Sequence, residues 1–154
     1  MIFKYRYDDD VSVEELFSLL ERMTDFDGDR FPAANVFHVA LRSKEKEAES
    51  LKNSVSVTAR RNDGMLIGYL RVISDQVYIY YILDVMVDPA CRKQGIGTEL
   101  VKLAVDNAKQ SGFIKIFLTA IPGAEEFYGQ FGFKEGMSPV LTLRGEDYPK
   151  GQLQ

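Results

Sequence analysis

An α/β (α+β) architecture, a mixed and mostly antiparallel sheet flanked by helices, follows from three features of the chain. Between Ser54 and Val87, three extended apolar-rich runs are separated only by tight-turn residues, Asp63-Gly64 and "SDQ" at 74 to 76, as in an antiparallel meander. Helical spacing brackets this block, with Leu16, Leu19, Leu20 and Met23 before it and Ile96, Leu100, Leu103, Ala104 and Ala108 after it. A further extended run, "IKIFLTA", follows the second of these helices.

Taken in order, "IFKYRY" alternates as a half-buried strand does and stops at three aspartates. Ser12 with Glu15 three residues on forms a capping box, so the first helix starts there. The spacing predicts a second helical region from about Pro32 to Ser50, ending in the mixed-charge run "RSKEKEAES" of a solvated surface. "SVSVTAR" and "MLIGYLRVIS" read as a hairpin. "VYIYYILDVMV" is so continuously apolar that burial on both faces, and hence a central strand, is expected. Pro89 ends that strand, and a helix runs from the glycine pair to Gly112. "GAEEFYGQF" reads as a short helix and "SPVLTLRG" as a last strand. Without an internal repeat or linker, residues 1–145 are expected to form one domain and 146–154 a polar tail.

The bulk composition narrows the function classes. The chain has 154 residues, 45% hydrophobic and 27% charged, an ordinary globular balance. Its net charge of -4 argues against nucleic-acid binding. There is no secretory leader pattern and no apolar run near the ~20 residues of a membrane span, so a cytoplasmic protein with no membrane partner is expected. The single cysteine, Cys91, has no internal disulfide partner. Acidic clusters at Asp8 to Asp10 and Asp25 to Asp29 would suit a cationic partner, or are simply solvated loop acids. His38 has no companions at metal-ligand spacing, and no metal is expected.

The informative stretch is "DPACRKQGIGTELV". The first amides of a helix lack intrahelical partners, and with the helix dipole they attract anions. Alternate glycines at the helix mouth would let an anion approach, and Arg92 and Lys93 would add charge, so a phosphate or pyrophosphate suits this loop. The pattern is not a Walker A loop. Nor is it a dinucleotide fingerprint, because Leu100 stands where the third glycine would be. Two glycines serving helix packing alone are the bland alternative.

"LDVMVDPACRKQGIGTELV" resembles the signature of the GNAT superfamily of acetyl-CoA-dependent N-acetyltransferases, with Arg92, Gly95 and Gly97 at the motif positions, and the resemblance continues through "FLTA" to "EEFYGQFGFKEG". By that resemblance the loop residues Arg92, Lys93, Gln94, Gly95, Ile96, Gly97 and Thr98 hold the pyrophosphate of coenzyme A. Val85, Met86 and Val87 offer main-chain groups to the pantetheine arm, much as a strand pairs with an added peptide. Ile121 stands where many relatives carry an asparagine that touches the coenzyme. The resemblance also implies a homodimer paired through edge strands.

Acetyl transfer needs a proton for the departing thiolate, a donor to the thioester carbonyl and a neutral amine. Tyr128 is the candidate general acid, since a phenol of pKa about 10 can protonate a thiolate of pKa about 8.5 when positioned; its plain alternative is packing with Phe127 and Phe131. A main-chain N–H in Val85 to Val87 is the candidate oxyanion donor. Asp84, an acid inside an apolar strand, is the candidate base; water-mediated deprotonation or a structural pairing of Asp84 are alternatives. The expected function is direct transfer of acetyl from acetyl-CoA to a small-molecule or peptide amine. A non-catalytic acyl-CoA-binding module and a nucleotide-phosphate binder are the competing readings.

Overall fold

A computed structural model describes residues 2–26 and 28–147. Five strands, β1 (Lys4–Tyr7), β2 (Val55–Arg60), β3 (Leu66–Ser74), β4 (Ile79–Val87) and β5 (Lys115–Leu118), form one sheet in that order. All neighbours are antiparallel except β4 and β5, which are parallel across the helix that joins them. On one face lies that helix, α4 (Ile96–Ser111); on the other lie α1 (Val13–Thr24), α2 (Ala33–Val36) and α3 (Lys44–Lys52). A last short helix, α5 (Glu125–Gly129), packs against the α4-side core through Phe127 and Tyr128. None of the described helices is long and apolar enough to cross a membrane.

Each face has its own core, and the alternation of the strands divides them. Leu70 and Val72 of β3 join Ile96, Leu100, Val101 and Ala104 of α4 in one cluster. Leu66 and Tyr69 of the same strand join Leu16, Leu19, Leu20 and Met23 of α1 in the other. The capping box at Ser12 and Glu15 forms as expected, with the Glu15 amide donating to Ser12 Oγ at 3.1 Å and the Ser12 amide to Glu15 Oε2 at 2.9 Å. Gly68 lets α4 approach: a Cβ there would stand 3.0 Å from both Ala59 Cβ and Ile96 Cγ2 and 3.1 Å from Leu100 Cδ1. Gly68→Ala is therefore expected to destabilise the fold by about 1–3 kcal/mol through overpacking, read as a fall of several degrees in melting temperature.

Three expectations are corrected. The single helix over 32–50 is broken into α2, a 3-10 turn at Val39–Leu41 and α3, because His38 takes a left-handed conformation (φ 50°) and Ser43 caps a new start by accepting from the Lys46 amide. The strand at "SPVLTLRG" is absent: residues 134–144 are irregular, and Val140, Leu141 and Leu143 are exposed. Alternating apolar residues make a strand only where a ladder partner and a face to bury exist, and this segment has neither among the described residues. β4 is also less buried than its composition suggests, since its pairing with β5 ends at Ile82. A 3-10 turn covers Gly145–Asp147, and the rest of the expected 146–154 tail, 148–154, lies outside the described residues.

The acidic cluster after β1 turns inward. Asp9 accepts from Thr58 Oγ1 at 2.7 Å and from Arg60 Nε at 2.9 Å, and Arg60 also pairs with Glu15. Burial alone would raise the Asp9 pKa, but those hydrogen bonds hold it below the usual carboxylate range.

Candidate functional site

The interruption of β4 is the first element of the site. Arg71 of β3 faces Leu83 and Tyr69 faces Met86, so a single residue, Leu70, stands opposite both Asp84 and Val85. This is a β-bulge, and Asp84 occupies it with φ 53°, a left-handed conformation that an aspartate tolerates at a cost. Because the extra residue resets the alternation, even-numbered Tyr80 and Ile82 and odd-numbered Val85 and Val87 all face the α4 side, while Met86 faces α1. Beyond Ile82 no strand among the described residues pairs with the β5-facing edge of β4, so that edge is open from Leu83 to Val87.

The loop after β4 is the second element. Asp88, buried at 5%, caps the 3-10 turn Pro89–Cys91 by accepting from the Ala90 amide at 2.9 Å, and it is held to α1 by Arg22 Nε at 2.6 Å. Sequence reasoning does not single out Asp88, although an Asp-Pro pair at a strand end is a turn-capping signal. Lys93 (φ 62°) and Gly95 (φ 80°) are both left-handed, so the chain curls around the mouth of α4. The amides of Lys93, Gln94, Gly95, Ile96, Gly97 and Thr98 find no acceptor among the described residues; the first helical bond is Glu99 N–H to Gly95 O at 3.0 Å. Amides without a close acceptor in a curled loop at a helix N-terminus are the kind of group that an anion can satisfy.

The two glycines serve different ends. Gly95 is needed for its backbone conformation, since a Cβ there would meet nothing within 4 Å. Gly97 sits under the Phe127 ring, where a Cβ would lie 3.5 Å from Phe127 Cζ and 3.8 Å from Val87 Cγ2. That contact brings the helix mouth, the end of β4 and α5 to one place.

Two of the side chains expected at an anion, Arg92 and Gln94, are already engaged. Arg92 donates from Nη1 to both oxygens of Asp29 at 2.9 Å and from Nε to Val87 O at 3.3 Å, and it stacks over Phe26 at 5.0 Å. Gln94 turns back to Cys91 O at 3.3 Å. The second acidic cluster thus balances an internal arginine, as the first one does.

Tyr128 packs edge-on to Phe127 at 5.0 Å and to Phe133 at 6.2 Å, on the same side of the sheet as Val85, Val87 and α4. Its hydroxyl makes no hydrogen bond among the described residues, and desolvation pushes its pKa above the phenol value. Packing and a free hydroxyl thus coexist in this one side chain. Asp84 faces the other side. Its Oδ2 accepts from Arg42 Nη2 at 2.9 Å and from Arg71 Nε at 3.1 Å, the structural pairing that stood as an alternative to the base. The described residues contain no cluster of side chains able to hold a metal ion.

Residues 15–133 match the model of the Acetyltransferase (GNAT) family. The UPF0039 protein C11D3.02c of Schizosaccharomyces pombe is 29% identical over 136 residues, covering 86% of this chain and 84% of its own length. The histone acetyltransferase TAP1 of Glycine max is 34% identical over 104 residues; the match covers 60% of this chain and 45% of that protein, so this chain spans less than half of it. A probable acetyltransferase from meticillin-resistant Staphylococcus aureus shares the fold, with a TM-score of 0.71 at 22% identity over 93% of this chain and 99% of that one.

Proposed function

Because the chain belongs to the GNAT acetyltransferase family, whose co-substrate is acetyl-CoA, we propose that it moves the acetyl group to a primary amine of a small molecule or peptide by direct transfer. The observation that carries this reading is the run of free amides from Lys93 to Thr98 beside the unpaired edge of β4. The co-substrate supplies an activated thioester; the rest is the work of this chain. The six amides grip a diphosphate. Main-chain groups of Val85, Met86 and Val87 take the pantetheine arm along the open edge, and one of their N–H groups donates to the thioester oxygen. The Tyr128 hydroxyl keeps its proton through the neutral range and gives it to the departing sulfur.

Asp84 is assigned a lesser part than that of a base. With Oδ2 committed to two arginines, it serves through its remaining oxygen as an acceptor that orients the incoming ammonium, and water removes the proton. The acceptor is a small-molecule or peptide amine; the Glycine max relative is named a histone acetyltransferase. A homodimer would pair along β1 or β5, the two edges of the sheet.

The test is a melting panel. CoA at about 100 times its Kd stabilises by about 2.7 kcal/mol, which for a chain of this size is a rise of several degrees, and ATP and NAD raise it less. Equal or larger shifts with ATP or NAD would favour the nucleotide-phosphate reading, and no shift with CoA would remove the acetyl-transfer reading. Asp29→Asn releases Arg92 toward the diphosphate, so it is expected to tighten CoA binding by about three- to tenfold in calorimetry, a gain typical of one charge-assisted contact.

A further inference from the structure

Four charges form a closed ring beneath the bulge. Glu47 Oε1 accepts from Arg71 and Oε2 from Arg42 Nη1 at 2.9 Å, and Asp84 Oδ2 accepts from both arginines. Arg71 is 2% and Glu47 4% exposed, and Arg71 further donates to Ser50 and, at 3.4 Å, to Ser54 Oγ. Arg42 also holds Phe37 O at 2.8 Å, so the ring ties the α2–α3 connection to β4. Burial would lower the Arg42 pKa, but the Asp84 and Glu47 charges hold it above its usual value.

Stability alone is a poor reason for this ring. A buried set of balanced charges is often matched or bettered by apolar side chains of similar volume, and the β3 neighbours Tyr69, Leu70 and Val72 are themselves buried core. The ring converges on the one β4 residue with a left-handed backbone, at the point where the strand leaves β5. Both arginines deliver to Oδ2, so Asp84 Oδ1 has no partner among the described residues.

We propose that Arg71 and Glu47 are positioning residues: acting through Asp84 they hold the β4 bulge, and so present the backbone of Val85 to Val87 to the acetyl donor while keeping Asp84 Oδ1 free for the amine. This rests on the acetyl-transfer reading. The ring does not touch the amides of Lys93 to Thr98, so its loss should leave the diphosphate grip intact, cost coenzyme affinity only the smaller share that Val85 to Val87 contribute, and impair turnover most.

The decisive variant is the pair Arg71→Met with Glu47→Leu, which removes one charge of each sign and leaves Arg42 bonded to Asp84. It is expected to melt close to the wild type and to bind CoA within about tenfold, while kcat for thiol release, with the amine that the wild type turns over fastest, falls by at least about 30-fold, a larger change than that in KM for acetyl-CoA. In the CoA-bound protein, amide hydrogen exchange over 84–87 should quicken by about tenfold or more, with α4 unaffected. Arg71→Lys should restore part of the rate. A double variant with wild-type kcat overturns the proposal. If no amine supports turnover, wild-type exchange over 84–87 overturns it. Should the double variant fail to fold, Glu47→Gln, which keeps the shape, must still lower kcat, or the proposal falls. Failure of the underlying reading looks different, because wild-type protein would then not bind CoA.

Discussion

Tyr128→Phe is expected to lower kcat by about 10²–10⁴-fold, the usual contribution of a positioned general acid, while CoA affinity stays within about twofold. The ring contacts with Phe127 and Phe133 survive the change, and the hydroxyl removed has no hydrogen bond to lose among the described residues. The variant should therefore melt at or slightly above the wild-type temperature, which separates loss of chemistry from loss of fold. Stopped-flow thiol detection with calorimetric CoA binding makes the measurement. A binding module without turnover would instead release no thiol before the substitution. The pH dependence has a definite sign. Desolvation raises the Tyr128 pKa above its ordinary 10.0, so the protonated, active form persists through neutrality and the alkaline fall of kcat begins above about pH 10. The same direction means that its contribution to stability is complete below the unfolded value and is lost as pH rises toward the folded one.

Gly95→Asp should separate stability from binding in the opposite way. The left-handed backbone costs an aspartate about 1 kcal/mol, and a carboxylate at a helix mouth returns about 0.5–2 kcal/mol by capping free amides, so the melting temperature should change little. The diphosphate then meets occupied donors and a like charge. CoA binding is expected to weaken at least about 100-fold, which is about 2.8 kcal/mol, and calorimetry at physiological salt, where exposed charges are screened, gives the more conservative reading. An affinity within about tenfold of wild type would mean that the amides of Lys93 to Thr98 are not the anion site.

Much of this molecule was legible because its signals are local. Capping at Ser12, the Asp63-Gly64 turn and the helical stripe from Ile96 each depend on residues within a few positions of one another. The loop before α4 is legible for the same reason: its glycines and its helix are adjacent in the chain. What escaped depends on distant partners. Asp84 looked like a perturbed acid because Arg42 and Arg71 arrive from 42 and 13 residues away. Arg92 looked free because Asp29 lies 63 residues upstream. The C-terminal apolar run looked like a strand because alternation says nothing about whether an edge is there to receive it.

The bulge at Asp84 bears on how such a site could arise. Two residues of β4 share one partner on β3, so excising Asp84 would leave every remaining side chain on its present face and knit an unbroken ladder from Leu83 to Val87. On the reading proposed above, the shortened chain should still offer the amides of Lys93 to Thr98 but no longer aim the backbone of Val85 to Val87 at a thioester. A plain structural scaffold and an enzyme of this design thus lie one inserted codon apart.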